Sequence, residues 1–126
     1  MLSEPMPCSG MYEKEIVKGQ SVTLCWGVTP PKTSEVLKSF RIRQSQSQAG
    51  SYQQLVNINY DAATMLKDLP DPCDSTKTVP WIKVTYTFAP KFTGHYFVTA
   101  VYQVVENGLT VTKETTGSAH CRVTVL

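Results

Sequence analysis

Long apolar runs are missing from this sequence: no stretch approaches the roughly 20 residues that a membrane-spanning helix needs. The opening residues, Met1-Leu2-Ser3-Glu4-Pro5, also lack the basic and apolar regions of a secretory signal. Both absences suit a cytosolic protein, and equally an ectodomain fragment separated from its signal and anchor. Because the chain stops on Arg122-Val123-Thr124-Val125-Leu126, an alternating strand, we expect the fragment. A dominant charge sign is missing too. Twelve basic residues against ten acidic ones give +2, and the basic residues are scattered. This excludes the electrostatic footprint of nucleic acid or of an anionic membrane.

Catalytic signatures are absent as well. There is no Gly-x-Ser-x-Gly elbow, P-loop, dinucleotide glycine fingerprint or His-Glu-x-x-His. His120-Cys121 is the one nucleophile-and-base pair in the sequence, but neighbours on a strand point to opposite faces. No enzyme activity, cofactor, metal or small-molecule substrate is therefore expected. Asp68, Asp71 and Asp74 share a loop, yet its two prolines and lack of a glycine-centred ligand loop favour a solvated turn over calcium. No Asn-x-Ser/Thr site exists, which leaves every face free for contact.

The four cysteines, Cys8, Cys25, Cys73 and Cys121, include no Cys-x-x-Cys pair, and His95 and His120 are not spaced as zinc ligands. Two disulfides in an oxidising compartment are expected, the alternative being buried free thiols. At 126 residues and 41% hydrophobic, the chain suits one packed domain spanning 1–126.

Alternation is the dominant pattern. In Ser21-Val22-Thr23-Leu24-Cys25-Trp26, Val22, Leu24 and Trp26 share one face, which turns Cys25 outward. Residues 38–43, 81–88, 95–105 and 121–125 also read as strands, rich in β-branched and aromatic side chains. Turns fall at Gly19, Pro30-Pro31, Gly50, Pro70-Asp71-Pro72 and Asn107-Gly108, the last a strong hairpin signal. Residues 60–69 are the sole helical candidate, with Asp61 as cap; an edge strand or irregular crossover is equally compatible. Short strands at this spacing predict an all-β sandwich or barrel.

The order of these strands resembles an immunoglobulin variable-type domain. Residues 19–24 resemble the start of strand B, Phe40 takes the place of the strand C tryptophan, and 84–88 match strand E. Gly94-His95-Tyr96 resembles the Gly-x-Tyr of strand F, with Tyr96 as a tyrosine corner, and 117–126 look like strand G. The resemblance implies a two-sheet Greek-key sandwich. It also implies that the usual inter-sheet disulfide is absent, because Trp26 and Val98 stand at its two positions. Trp26 is expected to pack near Val98 and Phe40 instead. Strand neighbourhood in the family implies the pairs Cys25–Cys73 and Cys8–Cys121, one of three possible connectivities.

Variable-type domains without the usual cysteine pair but with extra cysteines resemble the allorecognition receptors of colonial cnidarians such as Hydractinia. That resemblance implies the outermost domain of a single-pass cell-surface protein, binding another copy of itself on an opposing cell. A secreted or viral decoy for a soluble protein ligand is the alternative. Strand parity places Phe97, Thr99, Val101 and Gln103 on the outer face of strand F, beside Arg41, Arg43 and Arg122, with Tyr52 extending the patch. An aromatic centre with an arginine rim suits a protein interface. Loop tips near Pro30-Pro31, Asn57 to Asp61 and Glu106 to Thr116 form a second candidate surface. On this reading Phe97 is exposed, and Phe97→Asp weakens binding without unfolding the domain; the alternative is that the hairpin of residues 45–59 covers Phe97.

Overall fold

The computed structural model describes residues 5–8, 12–46, 52–70, 73, 76–117 and 120–126. Its strands are β1 (Met6–Pro7), β2 (Glu13–Ile16), β3 (Val22–Val28), β4 (Glu35–Ser45) and β5 (Gln53–Asn59). A single helical turn, α1 (Ala62–Met65), leads into β6 (Leu66–Pro70). Then follow β7 (Thr78–Phe88), β8 (Gly94–Glu106), β9 (Leu109–Thr116) and β10 (Cys121–Val125). Two sheets result. One has four strands in the order β1-β3-β7-β6; the other has six, ordered β2-β10-β8-β4-β5, with β9 also on β8. This is an immunoglobulin-like two-sheet sandwich, and its extra strand beside β4 is the mark of the variable type.

Local chemistry explains the elements. The β8–β9 hairpin turns on Asn107 and Gly108, both with positive φ (52° and 77°), which a tight two-residue turn requires. Residues 109–116 are thus a strand continuing the sheet, which corrects the expectation of a loop tip there; likewise β5 runs on through Asn59. Over residues 60–69 the helix is limited to one turn. The Asp61 side chain accepts from the Ala63 amide to cap it, and the chain becomes β-strand at Leu66. Four residues are too few to hold a helix without tertiary support, so packing of buried Met65 decides its extent. At the start of β8, a side chain on Gly94 would meet the Gln44 amide nitrogen at 2.9 Å, so the strand approaches its neighbour closely there.

The core lies between the sheets. Trp26, Phe40, Tyr96 and Val98 are all buried in one cluster with Leu24, Ile42, Val84 and Val123. As strand parity requires, Val22, Leu24, Trp26 and Val28 face inward from β3, and Tyr96, Val98, Ala100 and Tyr102 from β8. No bond joins Trp26 to Val98, the positions where the family's inter-sheet disulfide would stand.

The disulfide is Cys8–Cys25, with Cα atoms 5.4 Å apart, and this overturns both expected pairs. The reason is register. Met6 lies opposite Gly27 and Pro7 opposite Trp26, which brings Cys8 beside Cys25 on the outer side of the four-stranded sheet. The Cys8 amide donates to the Cys25 carbonyl at 2.9 Å, and Pro7, lacking an N–H, falls at the intervening position. Cys73 belongs to the β6–β7 connection, before Thr78, whereas Cys25 lies opposite Thr85. Seven residues of strand, roughly 23 Å, separate Thr78 from Thr85 along β7. Cys121 points into the core, opposite to Cys8, and is 1% exposed. Burial pushes its thiol up to about 11.

Two outcomes are expected. The Cys8→Ala/Cys25→Ala variant loses about 3 kcal/mol in urea unfolding, the value for a closed loop of this length; an unchanged midpoint contradicts the assignment. In the native protein the Cys121 thiol resists alkylation until the domain unfolds, read by mass spectrometry of labelled peptides.

Candidate protein-binding face

β8 is the central strand of the larger sheet. Along its length β4 pairs on one side, while on the other β10 takes residues 94–96 and β9 takes 99–106. Cross-strand rows on the outer face follow from these registers. Arg41, Thr99 and Thr116 form one row, and Ser39, Val101 and Glu114 the next. Val36, Gln103 and Thr112 form the row beyond, nearest the hairpin. In the opposite direction lie Arg43 with Phe97, then His95 with Arg122 and Glu13.

Parity puts Phe97, Thr99, Val101 and Gln103 on this face, but not in water. Phe97 is 3% exposed and Val101 6%, while Thr99 is fully buried. This corrects the exposed aromatic centre expected from the sequence. A central strand flanked on both sides is roofed by its neighbours' long side chains. Tyr52, at the approach to β5, meets Phe97 edge-on at 4.9 Å, and the His120 ring lies 5.3 Å away on the other side. His95 packs against His120 at 4.7 Å. Four rings thus form a ladder, Tyr52–Phe97–His120–His95, over the lower half of the face. His120 belongs to this outer ladder and Cys121 to the core, so the two side chains diverge as adjacent strand residues must.

Above the ladder lies a charged cluster. Glu114 on β9 receives the Arg41 guanidinium on one carboxylate oxygen, and Arg43 approaches the other at 4.0 Å. All three side chains remain partly open to solvent. The Thr99 and Thr116 hydroxyls bond at 2.8 Å beneath them. Tyr52, Val36 and Val105 stay exposed around this cluster, and Arg122 is exposed near the opposite end. A second ion pair, Lys113 with Glu106, braces the hairpin stem and raises the Lys113 pKa through that contact. Glu114 and the two histidines are the members that residue patterning missed. The signal was present: a two-residue turn at Asn107-Gly108 pairs Glu106 with Leu109, and counting back sets Glu114 opposite Val101.

Burial, then the nearby His120 and Arg122 charges, lower the His95 pKa below the ordinary imidazole value. Among the described residues its Nδ1 is buried without a hydrogen-bond partner. No group of three or more His, Cys, Asp or Glu side chains able to hold a metal occurs among the described residues; Asp71 and Asp74 lie outside them. No helix among the described residues is long and apolar enough to cross a membrane.

No family model matches the chain, and no curated protein matches its sequence. Among solved structures it is similar to a chain from the structural study of T cell specificity and activation by the bacterial superantigen toxic shock syndrome toxin-1. Identity is 12%, the alignment covers all of both chains, and the TM-score is 0.54. It is also similar to the swine CD8αα homodimer, at 14% identity over 98% of this chain and 99% of that one, with a TM-score of 0.46. At such identities the first likeness speaks to the fold alone, and it agrees with the strand order. The Cys8–Cys25 disulfide suits an oxidising compartment, where such bonds persist.

Phe97→Asp is now expected to destabilise the domain by about 3 kcal/mol, because it puts a carboxylate under the ring ladder. Arg41→Ala, at a partly exposed ion pair, costs no more than about 1 kcal/mol; thermal melts of the two variants check the contrast. The pH response follows from His95. A base whose folded pKa is depressed stabilises the fold fully above its unfolded value of 6.5, and that contribution is lost as the pH falls through 6.5 toward the lower folded value. Urea midpoints should therefore drop as the pH is lowered through 6.5, and His95→Gln should flatten that drop.

Proposed function

We propose that this domain is the outermost recognition module of a single-pass cell-surface protein, binding a second copy of itself on an opposing cell to distinguish self from non-self. The observation that carries the reading is the mixed-sign cluster on the larger sheet. Arg41, Arg43 and Glu114 are partly exposed on one face and of opposite charge. In a two-fold contact the same patch meets itself, so each copy's glutamate approaches the other's arginines. Exposed Tyr52, Val36 and Val105 supply apolar area around it, and Gln103 adds a hydrogen-bonding amide. Further support comes from the absence of glycosylation acceptors and from the resemblance to cnidarian allorecognition receptors. Charge complementarity of this kind sets partner choice more than affinity, which suits a receptor that discriminates among variants.

Bead aggregation tests the reading. Beads carrying the native domain are expected to cluster with one another. Glu114→Arg beads and Arg41→Glu/Arg43→Glu beads should each fail to cluster alone and should cluster when mixed, with melting curves confirming that both variants are folded. Native beads that stay dispersed while capturing a soluble protein contradict self-recognition and support the decoy.

A further inference from the structure

The four-stranded sheet has an unfinished edge. β7 is paired with β3 from Ile82 to Phe88, but on its other side β6 pairs only from Thr78 to Ile82. The cause is the short connection from β5 to β6, which passes through residues 60–65 and supplies no strand to run beside the lower half of β7.

Which backbone groups face that edge follows from the register. The Cys25 carbonyl accepts from the Cys8 amide, so it points toward β1. In an antiparallel ladder a residue's N–H and C=O point to the same side, and hydrogen-bonded pairs alternate with non-bonded ones. Cys25 and Thr85 are therefore a non-bonded pair, and Thr85 turns its N–H and C=O away from β3. Thr87, opposite Thr23, has the same parity and does likewise. No described strand receives these groups.

A groove of about 330 Å³ lies beside the same edge. Tyr86 and Phe88 of β7 line it together with Leu55, Phe92 and Tyr96, and Gln44, Gln53 and Lys91 add polar groups at its wall. The Tyr86 and Phe88 rings stack at 4.7 Å, and Phe88 meets Tyr96 edge-on at 5.1 Å. Phe92 stands at 67% exposure, an aromatic ring left in water beside the groove of the stacked Tyr86 and Phe88 rings. Thr85 and Thr87, by contrast, present hydroxyl side chains to solvent on the outer face.

We propose that this edge takes up an extended peptide segment of a partner protein by strand addition. The free backbone groups of Thr85 and Thr87 hydrogen-bond its main chain, and its alternate side chains enter the aromatic groove. Only an extended backbone offers donors and acceptors at the spacing of a strand edge. The segment is apolar at every second position, matching Tyr86 and Phe88, and polar between them, matching Thr85 and Thr87. The backbone edge belongs to the smaller sheet and the groove opens between the two sheets, whereas Arg41, Arg43 and Glu114 lie on the outer face of the larger one.

The probe is a fluorescein-labelled peptide, KVTFTVK, titrated into the native domain and followed by amide shifts in NMR spectra. Shift changes concentrated on residues 83–88, with ring signals of Tyr86 and Phe88 moving together, are expected. Methylating the peptide's alternate backbone nitrogens on its docking edge should weaken binding by about tenfold or more, the scale of one or two lost hydrogen bonds. Thr85→Pro removes an outward donor without touching the ladder to β3 and should weaken binding similarly, whereas Thr85→Val should retain it. If Thr85→Pro fails to fold, the methylated peptides decide the matter on the native chain. Three results overturn the proposal: no binding at millimolar peptide, undiminished binding when the docking edge is methylated, or self-association through residues 83–88 that excludes the peptide.

Discussion

Trp26 lies at the middle of the inner face of β3, wholly buried, in one cluster with Phe40, Tyr96 and Val98. Variable-type domains usually join their sheets covalently at this place. Burying a large aromatic side chain removes roughly 150–250 Å² from water, worth about 4–6 kcal/mol before other costs. The indole nitrogen has no hydrogen-bond partner among the described residues, an omission that costs about 1–3 kcal/mol. What remains is of the same order as the ~2–4 kcal/mol of a disulfide. A non-covalent contact therefore does the joining, and the rest of the architecture is arranged around it.

One consequence is that the cysteines are released for other duties. Cys8–Cys25 fastens the two-residue strand β1 to β3 within a single sheet, where backbone pairing alone is too short to hold it. Cys121 becomes an ordinary core residue whose thiol is held protonated by burial. A second consequence concerns β8. With its inner side committed to the core and strands on both flanks, its outer side is roofed by Tyr52, His120, Arg41 and Arg43. The face offered to a partner is consequently the roof and not the strand beneath it.

Inward and outward parity was legible along β3, β4, β8 and β10, because alternation over a half-buried strand is the strongest pattern a sequence carries. The hairpin at Asn107-Gly108 was equally legible, since few residue pairs accept two positive φ values. Three features were not. The Cys8–Cys25 pair depends on the register of a two-residue strand, which leaves almost no periodicity to read. Burial of Phe97 stayed open between an exposed centre and cover by the 45–59 hairpin, because it depends on Tyr52 and His120, each remote from it in sequence. Glu114 was hidden because Thr-rich residues 109–116 read as loop, although the turn alone fixed their register against β8.

Packing around Trp26, not a covalent bond, holds the two sheets together. Equilibrium urea unfolding of the fully reduced native chain beside oxidised Trp26→Ala tests it most directly. The reduced chain, though less stable, is expected to keep one cooperative transition and its near-ultraviolet circular dichroism, because the Cys8–Cys25 bond it loses lies within a sheet. Trp26→Ala should lose that transition or retain it with about 3–5 kcal/mol less stability. A reduced chain without tertiary signal, beside a Trp26→Ala domain that unfolds like the native one, would contradict it.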